Sequence, residues 1–204
     1  MKDLSPYNDE KFSEKEEFIL KKNKEFFSKN PKYIEKMLSI IDRKSNISIR
    51  IIDWFIINYS KIHKTTYKIK EYNEYTYFNV HHEYNNQLKS YSKYYFDPFC
   101  RNKKIVYSYK IASNQKKINF ISSIGQLNFF RWALKYEVIK YVEKHSEEIY
   151  KEMKETLKNK KKKEKKPVKK MFYSEQEGYK IDPEVCSSKE ILSLKIDSKK
   201  RKKN

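Results

Sequence analysis

Glycine, cysteine and long apolar runs are scarce in this sequence. Only two of its 204 residues are glycine, which excludes a glycine-rich loop that cradles phosphates and a dinucleotide-binding fingerprint. The two cysteines, Cys100 and Cys186, do not suggest a disulfide scaffold, although a single disulfide between them stays open. A reducing compartment is the simpler expectation. No apolar stretch approaches the roughly 20 residues that a membrane-spanning helix requires. We therefore expect neither a disulfide-rich secreted domain nor an integral membrane protein.

Residues for metal binding and catalysis are also few. The sequence has four histidines, and His81 and His82 are adjacent, so their side chains point to different faces of a helix. Zinc needs about four convergent ligands, which two distant cysteines do not supply. We therefore predict no catalytic, cofactor-binding or metal-binding residues, and a protein that is not an enzyme. A metal-dependent nuclease stays open as an alternative, because carboxylates can converge from distant positions.

Positive charge is abundant and unevenly distributed. The formal net charge is +20, but residues 1–42 carry nine Lys or Arg against nine Asp or Glu. Residues 43–136 carry 17 against five, and residues 158–204 carry 17 against seven. A coding bias toward A/T-rich codons raises lysine everywhere, whereas segregation into two segments indicates an anionic partner.

Local signals predict a mainly α fold with a small antiparallel β-sheet, an α+β class, followed by a disordered basic C-terminal tail. We expect an N-terminal helical pair over 1–42, a basic aromatic-rich core domain over 43–157 and a Lys-rich tail over 158–204. Nine of the 13 residues from Lys158 to Lys170 are lysine, and their mutual repulsion favours disorder.

Helix boundaries are marked by capping residues. Ser13 and Glu16 form a capping box, and Asn30-Pro31 starts a second helix with proline at its first position. Ile47 to Ile62 has apolar residues at helical spacing after Ser48, which predicts a central buried helix; its many β-branched residues make a strand the alternative.

Two hairpins and three further helices are predicted beyond residue 64. Tyr67, Ile69, Tyr75 and Tyr77 alternate with polar residues around a turn near Asn73. A helical stripe follows, ending before Asp97-Pro98, with these members: Tyr77, His81, Tyr84, Leu88, Tyr91 and Tyr95. The second hairpin pairs a strand over 104–111 with residues 118–121 across Ser113-Asn114-Gln115. Ser123 and Gln126 then form a capping box, and another helix starts near Glu137.

Cations and aromatic residues alternate between the two hairpins. Cations that follow a phosphate backbone beside rings that stack on bases are typical of single-strand binding. A bidentate phosphate contact is available to Arg101 and not to lysine. We expect Asp97 to accept hydrogen bonds from backbone amides in a rigid turn. The predicted binding residues here are Lys89, Lys93, Tyr94, Arg101, Lys103 and Lys104.

The helix after Ser123 begins with a positive end that favours anions. As a recognition helix it would present Gln126, Asn128 and Arg131 to bases or phosphates. The alternative is a buried aromatic helix with a strong cap.

The lysine runs of the tail predict salt-sensitive, sequence-independent binding to phosphates. They also match nuclear-localisation patches, and a solubilising tail without a partner is the alternative. The predicted contacts in this segment are Lys160, Lys161, Lys162, Lys163, Lys165 and Lys166.

Three segments carry a resemblance to a known family. They are S-I-R-I-I-D-W-F-I-I-N-Y-S-K (48–61), F-N-V-H-H-E-Y-N-N-Q-L-K-S-Y-S-K-Y-Y-F-D-P-F-C-R (78–101) and S-S-I-G-Q-L-N-F-F-R-W-A (122–133). Over about residues 45–145 the chain resembles an uncharacterised conserved protein family of nucleocytoplasmic large DNA viruses. The resemblance implies a viral factory in the host cytoplasm or the virion as location. It implies no activity and assigns no site residue.

The sequence as a whole therefore predicts a non-enzymatic nucleic-acid-binding protein, with DNA favoured over RNA and no membrane partner. Its role would be packaging, or support of viral transcription or replication. The first alternative is a virion structural protein that binds acidic viral proteins through the same charge; the second is the nuclease-like enzyme.

Overall fold

The computed structural model describes residues 11–71, 73–110 and 117–164, together with 172–173 and 180–181; side chains are described through residue 159. The chain divides into two compact units, Met1–Glu155 and Thr156–Asn204. The predicted turn at Ser113-Asn114-Gln115 and most of the predicted tail lie outside the described residues.

The first unit combines helices with two antiparallel hairpins, so the predicted α+β class is confirmed. Its helices, the last of which continues into the second unit, are α1 (Glu14–Lys29), α2 (Pro31–Ile41), α3 (Ile49–Trp54), α4 (Ser60–Ile62), α5 (Val80–Tyr91), α6 (Ile124–Lys135), α7 (Val138–Lys144) and α8 (Ser146–Glu164). Its strands are β1 (Thr66–Glu71), β2 (Glu74–Asn79), β3 (Lys104–Lys110) and β4 (Lys117–Ser123). In the second unit, β5 (Phe172–Tyr173) pairs antiparallel with β6 (Lys180–Ile181).

The predicted helix starts are largely confirmed, because caps depend on contacts within one turn. Ser13 and Glu16 form a complete capping box, and Ser48 accepts a hydrogen bond from the Ile51 amide. Pro31 is the first residue of α2, although the Asn30 side chain does not cap it and donates to the Phe26 carbonyl instead.

The segment from Ile47 to Ile62 forms a helix from Ile49, as predicted, but a π-helical turn interrupts it. Between α3 and α4, residues Phe55–Tyr59 form a π-helical turn, in which the Ser60 amide bonds to the Phe55 carbonyl five residues earlier. Such a turn inserts one extra residue, and here Phe55, Ile56, Tyr59 and Ser60 are all buried. The strand alternative is wrong.

Both hairpins are antiparallel, as predicted. In the first, Tyr67 pairs with Phe78 and Glu71 with Glu74, which places the turn at the predicted position near Asn73. In the second, Lys104 pairs with Ser123 and Lys110 with Lys117.

The core is centred on α6 rather than on the segment that precedes the first hairpin. Ten of the twelve residues of α6 are buried. The Trp132 ring lies 6.0 Å from Phe78 of β2, 6.1 Å from Tyr84 of α5 and 5.5 Å from Phe96 between centroids. β2, α5 and the chain that follows α5 therefore all pack against the Trp132 indole. This packing fixes the position of the chain between α5 and β3.

Two sequence predictions need correction. The helical stripe is too long at both ends: Tyr77 belongs to β2, and Tyr95 lies beyond the end of α5. The position of Tyr77 fits both the two-residue period of a strand and the 3.6-residue period of a helix. Its pairing with Lys68 in the first hairpin decides for the strand. In addition, α8 continues to Glu164, so the first residues of the predicted disordered tail are helical.

Candidate nucleic-acid interface

The segment of residues 92–103, which we term the basic loop, joins α5 to β3 and carries four of the predicted contacts. Lys93, Tyr94 and Arg101 are exposed, and Lys103 is half-buried. The exposed fraction of Tyr94 is 44%. Two residues of the loop are in the left-handed region, Ser92 at its start with φ 58° and Cys100 with φ 55°.

The backbone of the basic loop lies directly against the first turn of α6. A Cβ atom at Gly125 would lie 2.7 Å from the Tyr94 carbonyl oxygen and 3.3 Å from the amide nitrogens of Phe96 and Asp97. The Asp97 amide also donates to the Gly125 carbonyl at 3.3 Å. Because only glycine lacks a Cβ, this position permits a close approach that any other residue would prevent.

Two buried amides of α6 hold the same loop by its carbonyl groups. Gln126 Nε2 donates to the Pro98 carbonyl at 2.8 Å, and Asn128 Nδ2 donates to the Tyr95 carbonyl at 2.9 Å. The amide oxygens are also occupied, by the Ser122 hydroxyl at 2.9 Å and by Arg131 at 2.7 Å. Buried polar groups with both ends satisfied define a rigid arrangement.

The prediction that Gln126 and Asn128 are exposed is therefore wrong. They are 3% and 0% exposed, and the buried aromatic helix with a strong cap is the arrangement found. The cap itself differs from the predicted box: Ser123 accepts from the Gln126 amide, but the Gln126 side chain is turned to the loop. Arg131 is half-buried and donates hydrogen bonds to Asn23 of α1 and to Asn128, the residue that holds the Tyr95 carbonyl of the basic loop.

Within the loop, Asp97 and Arg101 form a charged turn. Arg101 donates from Nε at 3.2 Å and from a terminal nitrogen at 2.5 Å to the two carboxylate oxygens of Asp97. The Arg101 backbone amide also donates to Asp97 at 3.3 Å, which confirms the predicted turn. Asp97 is buried and Arg101 is exposed. This contact raises the pKa of Arg101, and part of the guanidinium is already committed to a carboxylate.

Three cation–aromatic contacts join the loop to its own rings and to the start of α1. Lys15 Nζ lies 5.1 Å from the Tyr95 ring centre, and the Arg101 guanidinium lies 5.0 Å from that of Phe99. Lys103 Nζ lies 4.8 Å from the ring centre of Phe12 and donates to the Lys11 carbonyl at 3.0 Å. Such contacts are attractive, and they bring cations and rings together in the loop.

The other predicted residues have separate positions. Lys89 is exposed on the last turn of α5, three residues before the loop, and Lys104 is exposed at the start of β3. Four predicted tail residues lie in α8, without described side chains, namely Lys160, Lys161, Lys162 and Lys163. Lys165 and Lys166 lie outside the described residues.

A groove that the sequence did not reveal lies between the α1–α2 junction and the second hairpin. Its volume is about 500 Å³, with Phe27, Tyr107 and Tyr109 among its lining residues and three lysines beside them: Lys24, Lys110 and Lys117. Lys110 and Lys117 are directly opposite each other in the hairpin, where like charges are unfavourable. The feature of the sequence that could have indicated this groove is the pair of lysines, Lys110 and Lys117, on either side of a turn between two strands.

A model of a family of unknown function, DUF7197, matches residues 1–204. The chain belongs to the DUF7197 family. An uncharacterized protein of Acanthamoeba polyphaga mimivirus is 47% identical to it over 206 residues, covering 97% of this chain and 78% of the relative. The expected membership of an uncharacterised family of large DNA viruses is thereby confirmed. No solved structure matches the chain.

In and near the basic loop, this DUF7197 protein has titratable groups with shifted pKa values. Burial raises the pKa of Asp53, while the nearby Arg101 lowers it. Burial also raises the pKa of Tyr84 to about 12, with contributions from the charges of Asp53 and Asp97. The pKa of the Cys100 thiol is raised by burial, against a hydrogen bond with Ser123 and the charge of Lys104. A thiol with a raised pKa is a poor nucleophile.

Metal ligands do not converge in the described part of this DUF7197 protein: no group of three or more His, Cys, Asp or Glu side chains there is arranged to hold an ion. Among the same residues, no helix is both long enough and apolar enough to span a membrane.

Proposed function

We propose that this protein binds nucleic acid without catalysing a reaction on it, in the setting of a large DNA virus. The basic loop contacts the phosphates, and the lysine-rich segment over 158–170 adds affinity that does not depend on sequence. The observation that carries the proposal is the basic loop, which presents exposed cations and rings from a backbone held by buried amides.

Pre-organisation is the physical reason that this loop suits a ligand. Gly125, Gln126 and Asn128 fix the loop backbone before any partner arrives, so binding does not have to order it. Lys93 and Tyr94 then project from a fixed frame, with Lys89 one turn earlier on α5. Phosphates attract such cations, and exposed rings stack on bases. Arg101 contributes positive charge at the same surface, although its bidentate partner is Asp97.

Binding measured against salt concentration tests the proposal. The full chain is titrated with single-stranded and duplex DNA, and with RNA, over a range of salt concentrations. The logarithm of the affinity should fall linearly with the logarithm of the salt concentration, with a slope of about −0.7 per neutralised phosphate for single strands and about −0.9 for duplex. A flat dependence eliminates the proposal.

A pair of lysine substitutions locates the contact. Lys89→Gln with Lys93→Gln should make the single-strand slope shallower by about 1.4, because two phosphate contacts are lost. The matched control is Lys144→Gln with Lys151→Gln, which removes two exposed lysines from the acidic segment 137–157. Equal losses in both variants would mean that only the net charge matters and that the loop is not the site.

Competition separates nucleic acid from acidic viral proteins as the partner. A virion structural role through the same charge predicts that an acidic viral protein at equal charge concentration displaces bound nucleic acid. Displacement by nucleic acid is the result that our proposal expects.

A further inference from the structure

The hairpin of β1 and β2 has one buried face and one exposed face, and strand pairing assigns each residue to its face. Residues directly opposite each other point to the same side, and successive pairs alternate. Tyr67 with Phe78 and Ile69 with Thr76 are therefore on one side. The other side carries the pairs Lys68 with Tyr77 and Lys70 with Tyr75.

The first side is anchored in the core. The Phe78 ring stacks on Tyr136 at 4.9 Å and lies 6.0 Å from Trp132. The Tyr67 ring stacks on Tyr141 at 5.2 Å, and its hydroxyl donates to the Tyr136 carbonyl at 2.7 Å. A slip of one residue would move these rings into water, so the register is fixed and the opposite face is held outward.

That opposite face is almost entirely in water. Tyr75 and Tyr77 are 73% and 74% exposed, the highest values among the large apolar and aromatic side chains of the described residues. Lys68 and Lys70 are exposed opposite them, and Lys68 Nζ lies 5.4 Å from the Tyr77 ring centre. Two large rings left in water mark a binding surface more often than a folding requirement.

The charge of this face has one sign. Alternation along the strands places on it six residues, none of which is acidic: Thr66, Lys68, Lys70, Tyr75, Tyr77 and Asn79. The hairpin carboxylates Glu71 and Glu74 are on the other face, where Glu71 accepts from Lys135 at 2.8 Å. Two rings and two cations without a carboxylate fit a ligand that is both aromatic and anionic.

We propose that this face is a stacking platform for unpaired bases, with Tyr75 and Tyr77 each taking one base and Lys68 and Lys70 neutralising the adjoining phosphates. The two tyrosines are two residues apart on one strand, about 6.6 Å, so neighbouring bases of one strand reach both rings. This inference rests on the proposed function and deepens it, because stacking requires bases that are not paired.

The platform and the basic loop are connected by a single helix. β2 ends at Asn79, the N-cap of α5, and the basic loop begins at Ser92, its C-cap. The twelve residues of α5 span about 18 Å, and Lys89 is exposed near the far end. A single strand that contacts both surfaces follows this helix.

Removing the rings tests the platform, with a control that keeps them. The full chain carrying Tyr75→Ala and Tyr77→Ala is compared with Tyr75→Phe and Tyr77→Phe in titrations with oligothymidylate and with duplex DNA. The alanine variant should lose roughly 10-fold or more in single-strand affinity per ring, while the phenylalanine variant stays near wild type. Duplex affinity should be unchanged in both. Circular dichroism melting confirms that the exposed substitutions leave the fold intact.

A second variant tests the cations without touching the rings. Lys68→Gln with Lys70→Gln should make the salt dependence of single-strand binding shallower by about 1.4. The inference is overturned if the alanine variant binds the single strand like wild type, or if the alanine and phenylalanine variants lose equally. In either case, salt-dependent binding by the wild type would leave the proposed function standing. Absence of nucleic-acid binding by the wild type would overturn both.

Discussion

The contact between the basic loop and α6 gives a prediction whose sign opposes ordinary helix propensity. Gly125 is a buried residue in the first turn of α6. Replacement of an exposed glycine within a helix by alanine normally stabilises a protein by about 1 kcal/mol. Here the added Cβ would lie 2.7 Å from the Tyr94 carbonyl oxygen, whereas ordinary contacts begin near 3.4 Å. The loop must therefore retreat by about 0.7 Å.

Such a retreat weakens the hydrogen bonds that hold the loop. The bonds from Gln126 to Pro98 and from Asn128 to Tyr95, at 2.8 and 2.9 Å, would lengthen toward about 3.5 Å, beyond the usual range. Each is worth about 1 kcal/mol, and overpacking costs about 1–3 kcal/mol. After the gain in propensity, Gly125→Ala should lower the free energy of unfolding by about 2–4 kcal/mol. The expected fall in Tm is roughly 4–16 °C.

Urea and thermal unfolding followed by circular dichroism measure this effect, and nucleic-acid affinity is measured on the same sample. Ser90→Ala, on the exposed side of α5, is the control for helix propensity and should stay within about 0.5 kcal/mol of wild type. A Gly125→Ala protein as stable as wild type, or more stable, would refute the close packing of the loop on α6.

Three further substitutions are expected to stabilise the protein, each for a different reason, and urea unfolding measures all of them. Ser92 has φ 58° and ψ 171°, a conformation almost restricted to glycine, so Ser92→Gly should gain about 1 kcal/mol; a loss would contradict the strain. Burial raises the pKa of Asp53, and Arg101 opposes that rise. The Asp53 carboxyl therefore loses its proton at a lower pH in the unfolded chain than in the folded protein. Stability falls as pH rises from the ordinary Asp pKa through the folded value. Asp53→Asn should therefore stabilise at neutral pH and have no such effect below about pH 3, and an equal gain at both pH values would exclude this cause. Lys110→Glu converts a like-charge pair with Lys117 into an opposite pair and should gain about 0.2–1 kcal/mol, an effect that high salt should diminish.

Prediction from the sequence succeeded where the determining contacts are local. The capping box of Ser13 and Glu16 and the cap at Ser48 involve residues three positions apart. The hairpin turn near Asn73 and the strand from Lys104 follow from alternation along short segments. Membership of a family of large DNA viruses was also recognisable from three segments. None of these features depends on how distant parts of the chain meet.

Prediction of the candidate interface was less complete, because exposure is decided between elements that are far apart in sequence. Gln126 and Asn128 have the side chains of base-reading residues, and nothing in their own helix shows that a loop about 30 residues earlier covers them. Tyr75 and Tyr77 fitted a strand, but their exposure follows from the burial of Phe78 and Tyr67 on the opposite face.

The sequence by itself determined the composition of each element, the segregation of its positive charge and the positions at which helices begin. The tertiary structure alone decided which polar side chains hold the fold and which face the solvent. The physical reason is that a buried amide is stable only with partners at both ends, and for Asn128 those partners include a carbonyl 33 residues away in the sequence. Long-range contacts of this kind made α6 the support of the candidate interface and left the basic loop as its surface.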